Sequence, residues 1–158
     1  MPQTDSPFRY PGGKTQLYNF VSYLLQKNNI NGTYVEPFAG GAGVAMKLLF
    51  KSKINKSWIN DFDTSIYSVW YYILENPEGL IKLIKEVPFD YNTGHEVNKQ
   101  TSINFWQEQH NYYVKNKNGK RSLALAFATL FLNRTNRSGI INGGPVGGFE
   151  QTHSTQIF

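Results

Sequence analysis

The sequence predicts an α/β fold, and three observations support this prediction. Residues 33–35 form a β-branched and aromatic run typical of a buried strand, and residues 44–50 have the amphipathic spacing of a helix. A turn of small residues joins the two. Residues 56–60 then have the composition of a second strand. A strand, a helix and a second strand in this order are typical of a doubly wound parallel sheet.

The turn between the first strand and its helix, residues 37–43, has the composition of a ligand site and is called the glycine turn below. Its small residues are Ala39, Gly40, Gly41, Ala42 and Gly43. A ligand can approach backbone that a Cβ would otherwise block, and the start of the following helix presents unpaired N–H groups. These properties predict a nucleotide-type pocket.

The residues around the glycine turn indicate which kind of nucleotide fits. Asp61 follows the second strand, where an acid accepts hydrogen bonds from ribose hydroxyls in doubly wound sheets. A dinucleotide turn requires G-x-G-x-x-G, but Gly41 and Gly43 are followed by Met46 at the third position. Glu36 stands just before the turn, where its charge would repel a pyrophosphate. S-adenosylmethionine, with a ribose, a positive centre and no phosphate, suits the site better, and a dehydrogenase-like dinucleotide binder is the disfavoured alternative.

Composition excludes several classes of site. The 158 residues include no cysteine, so thiolate zinc sites, disulfides and a cysteine nucleophile are excluded. The three histidines, His95, His110 and His153, are widely spaced, and we predict no metal site. The sequence has no apolar stretch that would span a membrane and no secretory leader. We therefore expect a soluble, cytoplasmic protein with no membrane partner.

The net charge of +5 is concentrated in one segment. Residues 1–110 hold equal numbers of basic and acidic side chains, whereas residues 111–149 hold basic residues and no acid. The basic residues are Lys115, Lys117, Lys120, Arg121, Arg134 and Arg137. Because Asn and Tyr are interleaved with them, the segment has the composition of a surface that faces a phosphate backbone. The alternative is a solvated basic face.

The remaining segments are predicted to be mainly helical. Asn76, Pro77 and Glu78 have the pattern of an N-cap, a first-turn proline and a helix-start acid. From residue 133 to 148 the periodicity stops, and five glycines with a proline predict a loop or hairpin. The predicted helices span residues 14–27, 64–74, 77–86, 102–114 and 122–132.

Four stretches, in this order, resemble the motifs of one family. They are Phe8-Arg9-Tyr10-Pro11-Gly12-Gly13-Lys14, Glu36-Pro37-Phe38-Ala39-Gly40-Gly41-Ala42-Gly43, Asn60-Asp61 and Asn133-Arg134-Thr135-Asn136-Arg137-Ser138-Gly139. The chain resembles the Dam-type (D12 class) DNA adenine-N6 methyltransferases. These enzymes carry a cofactor region first, a target-recognition region second and a catalytic motif third. The resemblance covers almost the whole chain.

The resemblance implies a fold and a division of labour along the chain. It implies a Rossmann-like methyltransferase sheet, incomplete here, with a mainly helical target-recognition insertion. Residues 1–89 would be the cofactor-binding part and residues 90–158 the recognition region, which would contact double-stranded DNA through the six basic residues. The implied S-adenosylmethionine-binding residues are Tyr10, Lys14, Glu36, Phe38, Gly40, Gly41, Gly43 and Asp61.

Three of these assignments have competing interpretations. Asp61 could be the N-cap of the following helix, a role that Asp63 could also fill. Glu36 could be a buried structural carboxylate instead of a partner for the positively charged groups of the cofactor. Lys14 could be an exposed residue at a helix start.

The catalytic motif of the family is missing from this sequence. The family transfers the methyl group with a D-P-P-Y tetrapeptide, which similarity would place beyond Phe158, and no D-P-P or N-P-P occurs here. Adenine N6 is a poor nucleophile, so acceptors must draw on its protons while an aromatic ring holds the flipped base. We therefore assign no catalytic residue and expect an amino-terminal part that is inactive alone.

Two alternatives remain open from the sequence. The missing part could come from another polypeptide or a longer reading frame, or the chain could be a non-catalytic DNA-binding remnant or isolated domain. An incomplete sheet also has exposed strand edges, which makes self-association a further expectation.

Overall fold

A computed structural model describes residues 5–9, 13–88, 99–146 and 148. The chain forms two compact units, residues 1–62 and residues 63–158. Each unit is described by itself below.

The first unit contains a strand–helix–strand arrangement. Where one helix was predicted over residues 14–27, a 3-10 turn is followed by an α-helix. The strands Tyr34–Glu36 (β1) and Ser57–Ile59 (β2) pair in parallel, with Tyr34 opposite Ser57 and Glu36 opposite Ile59, so the predicted parallel strand pair is confirmed. The elements are the 3-10 turn Lys14–Leu17, α1 (Tyr18–Lys27), β1 (Tyr34–Glu36), α2 (Gly43–Phe50) and β2 (Ser57–Ile59).

The two faces of this small sheet differ in burial. Tyr34 packs against the buried side chains Val44, Leu48 and Ile54. Side chains alternate between the faces of a strand, so Val35 and its partner Trp58 point the other way, where they are 51% and 62% exposed. The prediction of a buried strand over residues 33–35 is therefore wrong for this face, because the core of the unit covers only the face that carries Tyr34.

The second unit is helical in the described residues. Its helices are α3 (Thr64–Glu75), α4 (Pro77–Lys85), α5 (Lys99–Asn116) and α6 (Leu123–Thr135), followed by the 3-10 turn Arg137–Gly139. Asp63, Asn76 and Ser122 cap α3, α4 and α6 by accepting backbone N–H groups. The predicted N-cap at Asn76 is thus confirmed.

Helix α6 is the centre of the second unit. It packs against α3, α4 and α5 and is buried continuously from Leu125 to Asn133. Phe105 of α5 meets the rings of Phe127 and Phe131 edge to face, at centroid distances of 6.3 and 5.2 Å. No helix in the described ranges is long and apolar enough to cross a membrane.

Helix α6 ends three residues later than predicted, at Thr135. The predicted end at residue 132 is wrong because the Asn136 N–H still bonds to the Leu132 carbonyl, at 2.8 Å, and closes a last helical turn. The loop then starts at residue 137 and returns to the helix end through an antiparallel bridge between Asn136 and Pro145. This agrees with the predicted loop or hairpin.

Candidate functional site

A cavity of about 230 Å³ lies in the first unit beside the glycine turn. It brings together seven of the eight residues predicted to bind the cofactor: Lys14, Glu36, Phe38, Gly40, Gly41, Gly43 and Asp61. The eighth, Tyr10, lies outside the described residues. The other lining residues are Ser6, Phe8, Gly13, Thr15, Ala39 and Ala42.

Asp61 ties the end of β2 to the glycine turn. One of its carboxylate oxygens, Oδ2, accepts the Gly40 N–H at 2.7 Å, and the Ala39 N–H bonds to the Asn60 carbonyl at 2.8 Å. The N-cap of α3 is Asp63, whose Oδ1 accepts the Ser65 N–H at 2.8 Å. Asp61 therefore lies at the cavity and does not cap the helix.

Glu36 is a buried carboxylate at the start of α2. It is 6% exposed, and its Oε1 accepts the Ala45 N–H at 3.2 Å and the Tyr34 hydroxyl at 3.1 Å. Burial, together with the nearby Glu36 charge, raises the pKa of Tyr34 to about 12. Glu36 thus stabilises the N-terminus of α2 and also lines the cavity, so the structural and the ligand-binding interpretations do not exclude each other.

Lys14 fixes the other end of the glycine turn. Its Nζ donates to the Phe38 carbonyl at 2.9 Å. The ring of Phe38 is 70% exposed although it borders the cavity. Two carboxylates, Glu36 and Asp61, and one ammonium line the cavity, so its charge favours a ligand with a positive centre.

The backbone of the glycine turn is closely packed against the 3-10 turn. A Cβ on Gly43 would collide with the Thr15 hydroxyl and lie 3.3 Å from the Thr15 Cβ. Gly40 and Ala42 have φ angles of 50° and 46°, in the left-handed region. Gly43 is therefore required by a close approach, whereas Gly40 suits a backbone conformation that side chains disfavour.

Four lining residues are missing from the predicted site: Ser6, Phe8, Gly13 and Thr15. Ser6 and Phe8 are 8% and 2% exposed, and the Phe8 N–H donates to the Ser6 Oγ at 3.1 Å. Phe8 had a signal, since it is an aromatic residue of the opening motif. Ser6 had none.

The six basic residues divide into two groups in the second unit. Lys115 lies in the last turn of α5, and Lys117, Lys120 and Arg121 lie in the connection to α6. The other two, Arg134 and Arg137, lie in the last turn of α6 and just after it. Because a helix rises 1.5 Å per residue, the two groups are about 17 Å apart along α6. The structure does not bring the six residues into one cluster.

Aromatic rings hold two of these cations. The Arg121 guanidinium lies over the ring of Tyr71 at 4.2 Å and near Tyr67 at 5.8 Å, and the Lys117 ammonium lies 5.7 Å from the ring of Tyr113. Such contacts orient a cation without neutralising its charge.

A parallel strand–helix–strand unit, with a glycine turn and two carboxylates at one cavity, is typical of proteins that bind a nucleotide-type ligand. Comparison with known families defines the class further. The profile of the D12 class N6 adenine-specific DNA methyltransferases matches residues 10–155, and the chain belongs to this family.

Curated relatives agree with the family. The chain is 26% identical over 147 residues to Type II methyltransferase M.MjaIII of Methanocaldococcus jannaschii, which covers 90% of this chain and 50% of the relative. It is 34% identical over 79 residues to Type II methyltransferase M1.LlaDCHI of Lactococcus lactis subsp. cremoris, which covers 49% of this chain and 26% of that relative. It is 37% identical over 82 residues to Modification methylase StsI of Streptococcus sanguinis, which covers 52% of this chain and 11% of that relative. The chain spans half the length of the first relative. No solved structure matches it significantly.

Proposed function

We propose that the cavity beside the glycine turn binds S-adenosylmethionine, and that the chain is the cofactor-binding and DNA-recognising part of an adenine-N6 DNA methyltransferase. The observation that supports this proposal most directly is the cavity itself, where the glycine turn meets the carboxylates of Asp61 and Glu36 and the ammonium of Lys14. The volume of about 230 Å³ is somewhat below the usual range for ligand pockets, so it suits part of the cofactor.

The residues of the cavity fit the chemistry of this cofactor. Asp61 already accepts the Gly40 N–H, and a carboxylate has further lone pairs for ribose hydroxyls. Glu36 suits the positively charged sulfonium and amino groups, and Phe8 and Phe38 supply apolar wall for the adenine ring. When bound, S-adenosylmethionine supplies the methyl group. The residues of this chain bind and orient it.

The proposed macromolecular substrate is double-stranded DNA. The two basic groups would contact phosphates, and Arg134 and Arg137 are the candidates for reading bases because they adjoin the loop after α6. The acceptor would be N6 of an adenine turned out of the base stack. This proposal is supported by the family to which the chain belongs, by the basic residues at both ends of α6, and by the aromatic rings beside two of these residues.

We further propose that β1, α2 and β2 begin a Rossmann-like sheet and that residues 90–158 belong to a target-recognition insertion. The sequence contains no D-P-P or N-P-P tetrapeptide core. The acceptor that draws on the adenine N6 protons would therefore be supplied by residues outside these 158, and the chain alone would transfer little or no methyl group.

Location and association follow as lesser proposals. We propose a cytoplasmic protein, in keeping with a DNA-modifying family. In the described residues the sheet has two strands, so each strand leaves one edge unpaired. Unpaired edges favour self-association.

The test of the cofactor site is calorimetric titration of S-adenosylmethionine into the 158-residue protein. A charge-assisted hydrogen bond contributes roughly 1.5–3 kcal/mol, so Asp61→Ala should weaken binding roughly 10- to 200-fold. Glu75→Ala, which removes an exposed carboxylate outside the cavity, is the control and should bind like the wild type. Equal affinities for Asp61→Ala and the control would remove the assignment of Asp61.

Three further outcomes test the alternatives. Tighter binding of NAD than of S-adenosylmethionine would indicate a dinucleotide binder. A folded protein that binds DNA but not S-adenosylmethionine would indicate a non-catalytic remnant. Efficient methylation of an oligonucleotide by the chain alone would contradict the proposed incompleteness.

A further inference from the structure

The loop that follows α6, residues 137–146, is organised around one buried amide. Asn136 is fully buried, and its Nδ2 donates toward the carbonyls of Ile140, Ile141 and Gly143 at 2.9–3.0 Å. Its Oδ1 accepts the indole N–H of Trp106, in α5, at 2.8 Å. One side chain thus joins the loop to a neighbouring helix.

The partners of Asn136 determine how its amide is oriented. A carbonyl oxygen only accepts hydrogen bonds and an indole N–H only donates them, so the NH₂ must face the loop and the oxygen must face Trp106. An aspartate at this position would have the same size and could still accept from Trp106. It would, however, turn an acceptor toward three carbonyls, and a buried unsatisfied polar group is destabilising.

A second amide and several backbone bonds complete this anchoring. Asn133 lies one turn earlier on α6, is fully buried and donates to the Gly139 carbonyl at 2.8 Å. The Arg137 N–H bonds to the Gly144 carbonyl at 3.1 Å, and the Val146 N–H bonds to Thr135 at 2.9 Å. The loop is therefore held at both ends and in its middle, although most of it has no regular secondary structure.

The anchored loop presents a small set of side chains to solvent. Arg137, Ser138, Ile140 and Asn142 are exposed, whereas the carbonyls of the loop turn inward to Asn136. Arginine and asparagine are the side chains that pair with guanine and adenine edges in the major groove. A rigid backbone reduces the conformational entropy that such contacts must overcome on binding.

We propose that Asn136 is a positioning residue for DNA recognition: its buried amide holds residues 137–146 in one conformation, and thereby places exposed Arg137 and Asn142 against base edges. Asn142 becomes a base-reading residue that the sequence did not indicate. This inference rests on the proposed binding of double-stranded DNA by the second unit.

The test uses Asn136→Asp and a matched control, Asn104→Asp. Asn104 is exposed on α5 and accepts from Gln100, so aspartate preserves its contact. Both variants change one amide to a carboxyl group of the same size. Asn104→Asp therefore shows how much DNA affinity an added carboxylate alone removes.

The measurement is discrimination between DNA sequences. The wild type enriches duplexes from a random-sequence pool, and each variant is then titrated with the enriched duplex and with a scrambled one of the same composition. We expect Asn136→Asp to reduce the ratio of the two affinities about 10-fold or more, the loss of at least one base contact. Its affinity for the scrambled duplex should match that of Asn104→Asp.

Amide hydrogen exchange shows whether the effect is local. In Asn136→Asp the amides of Arg137, Ile140 and Gly143 should exchange faster, while those of Leu125 and Leu130 within α6 should keep their protection. Trp106→Phe removes the indole donor and part of the ring but keeps the Asn136 amide and its bonds to the loop, so it should lower the affinity ratio less than Asn136→Asp does.

The outcomes are distinguishable. Equal affinity ratios for Asn136→Asp and Asn104→Asp would overturn this inference and leave the proposed function intact. If Asn136→Asp does not fold, an unchanged ratio in Trp106→Phe despite faster exchange in the loop would overturn it. Failure of the wild type to enrich any duplex would overturn both the recognition of DNA and this inference.

Discussion

The glycine turn and loop 137–146 are both irregular segments held in a fixed shape, but opposite kinds of group hold them. Ionisable side chains hold the glycine turn and the helix start after it, through Lys14 to the Phe38 carbonyl, Asp61 to the Gly40 N–H and Glu36 to the Ala45 N–H. Neutral amides hold the loop, through Asn133 and Asn136.

The difference shows how charge is distributed between the proposed cofactor site and the proposed DNA-binding surface. In the glycine turn the charged groups bond to backbone and also line the cavity, so the residues that anchor the turn are also cavity wall. In loop 137–146 the anchors carry no charge. The cation Arg137 of this loop is exposed.

The largest expected effect is on stability, and it compares one glycine substitution in each segment. Gly43→Ala should lower the free energy of unfolding by about 1–3 kcal/mol, the usual range for overpacking, because its methyl group would collide with Thr15. Gly144→Ala meets open space and should change it by less than about 0.5 kcal/mol. Urea denaturation measures both.

A second substitution shows whether the collision is the cause. Thr15→Ala removes the hydroxyl that the new methyl group would meet, so the double variant Gly43→Ala/Thr15→Ala should recover part of the lost stability. An additive loss in the double variant would mean that Gly43 is needed for another reason.

The second-largest expected effect concerns the exposed basic residues and the salt dependence of DNA affinity. If both ends of α6 contact one duplex, Lys120→Ala and Arg137→Ala should each lower the steepness of the plot of log affinity against log salt by about 0.9. The loss of affinity between 50 and 200 mM salt should then be roughly threefold smaller in each variant than in the wild type. The double variant should lower the steepness by about twice as much. Fluorescence anisotropy with a duplex measures the slopes, with Lys85→Ala, on α4, as control.

A slope that changes for only one of the two variants would show that the duplex meets one end of α6 alone. That result would remove the distant group from the proposed DNA-binding surface. It would not affect the proposed cofactor site in the first unit.

The smallest effect concerns pH. The pKa of Tyr34 is raised to about 12, against about 10 for an unfolded tyrosine, so the folded state holds this proton more tightly. The stabilisation is complete below pH 10 and is lost as the pH rises toward 12. Tyr34→Phe should be less stable than the wild type by about 0.5 kcal/mol near pH 7, since Tyr34 is only partly buried.

This difference between the two proteins should shrink between pH 10 and 12. Chemical denaturation at pH 8, 10 and 11.5 measures it. A constant difference across this range would contradict the coupling between Tyr34 and Glu36.

Sequence alone predicted the parts whose signals are local. The glycine turn, the two parallel strands and the cap at Asn76 each depend on residues close together in the chain. The assignment of cofactor-binding roles is still a prediction, although seven of its residues meet at one cavity.

The missed features depend on contacts between distant segments. Ser6 and Phe8 become cavity wall only because the chain before the 3-10 turn folds against the glycine turn. The amide of Asn136 faces three carbonyls and Trp106, thirty residues away, which no local pattern reveals. The exposure of Val35 also depends on what packs on each face of the sheet.

Ala42 has a consequence for the flexibility of the glycine turn. It is 1% exposed and adopts a left-handed φ of 46°, a conformation that costs about 1–2 kcal/mol for residues other than glycine. Glycine would relieve this strain, but it would also give the unfolded chain more conformations and leave the methyl group's volume empty. The alanine therefore restricts the backbone conformations open to a segment rich in glycine, immediately before α2 begins.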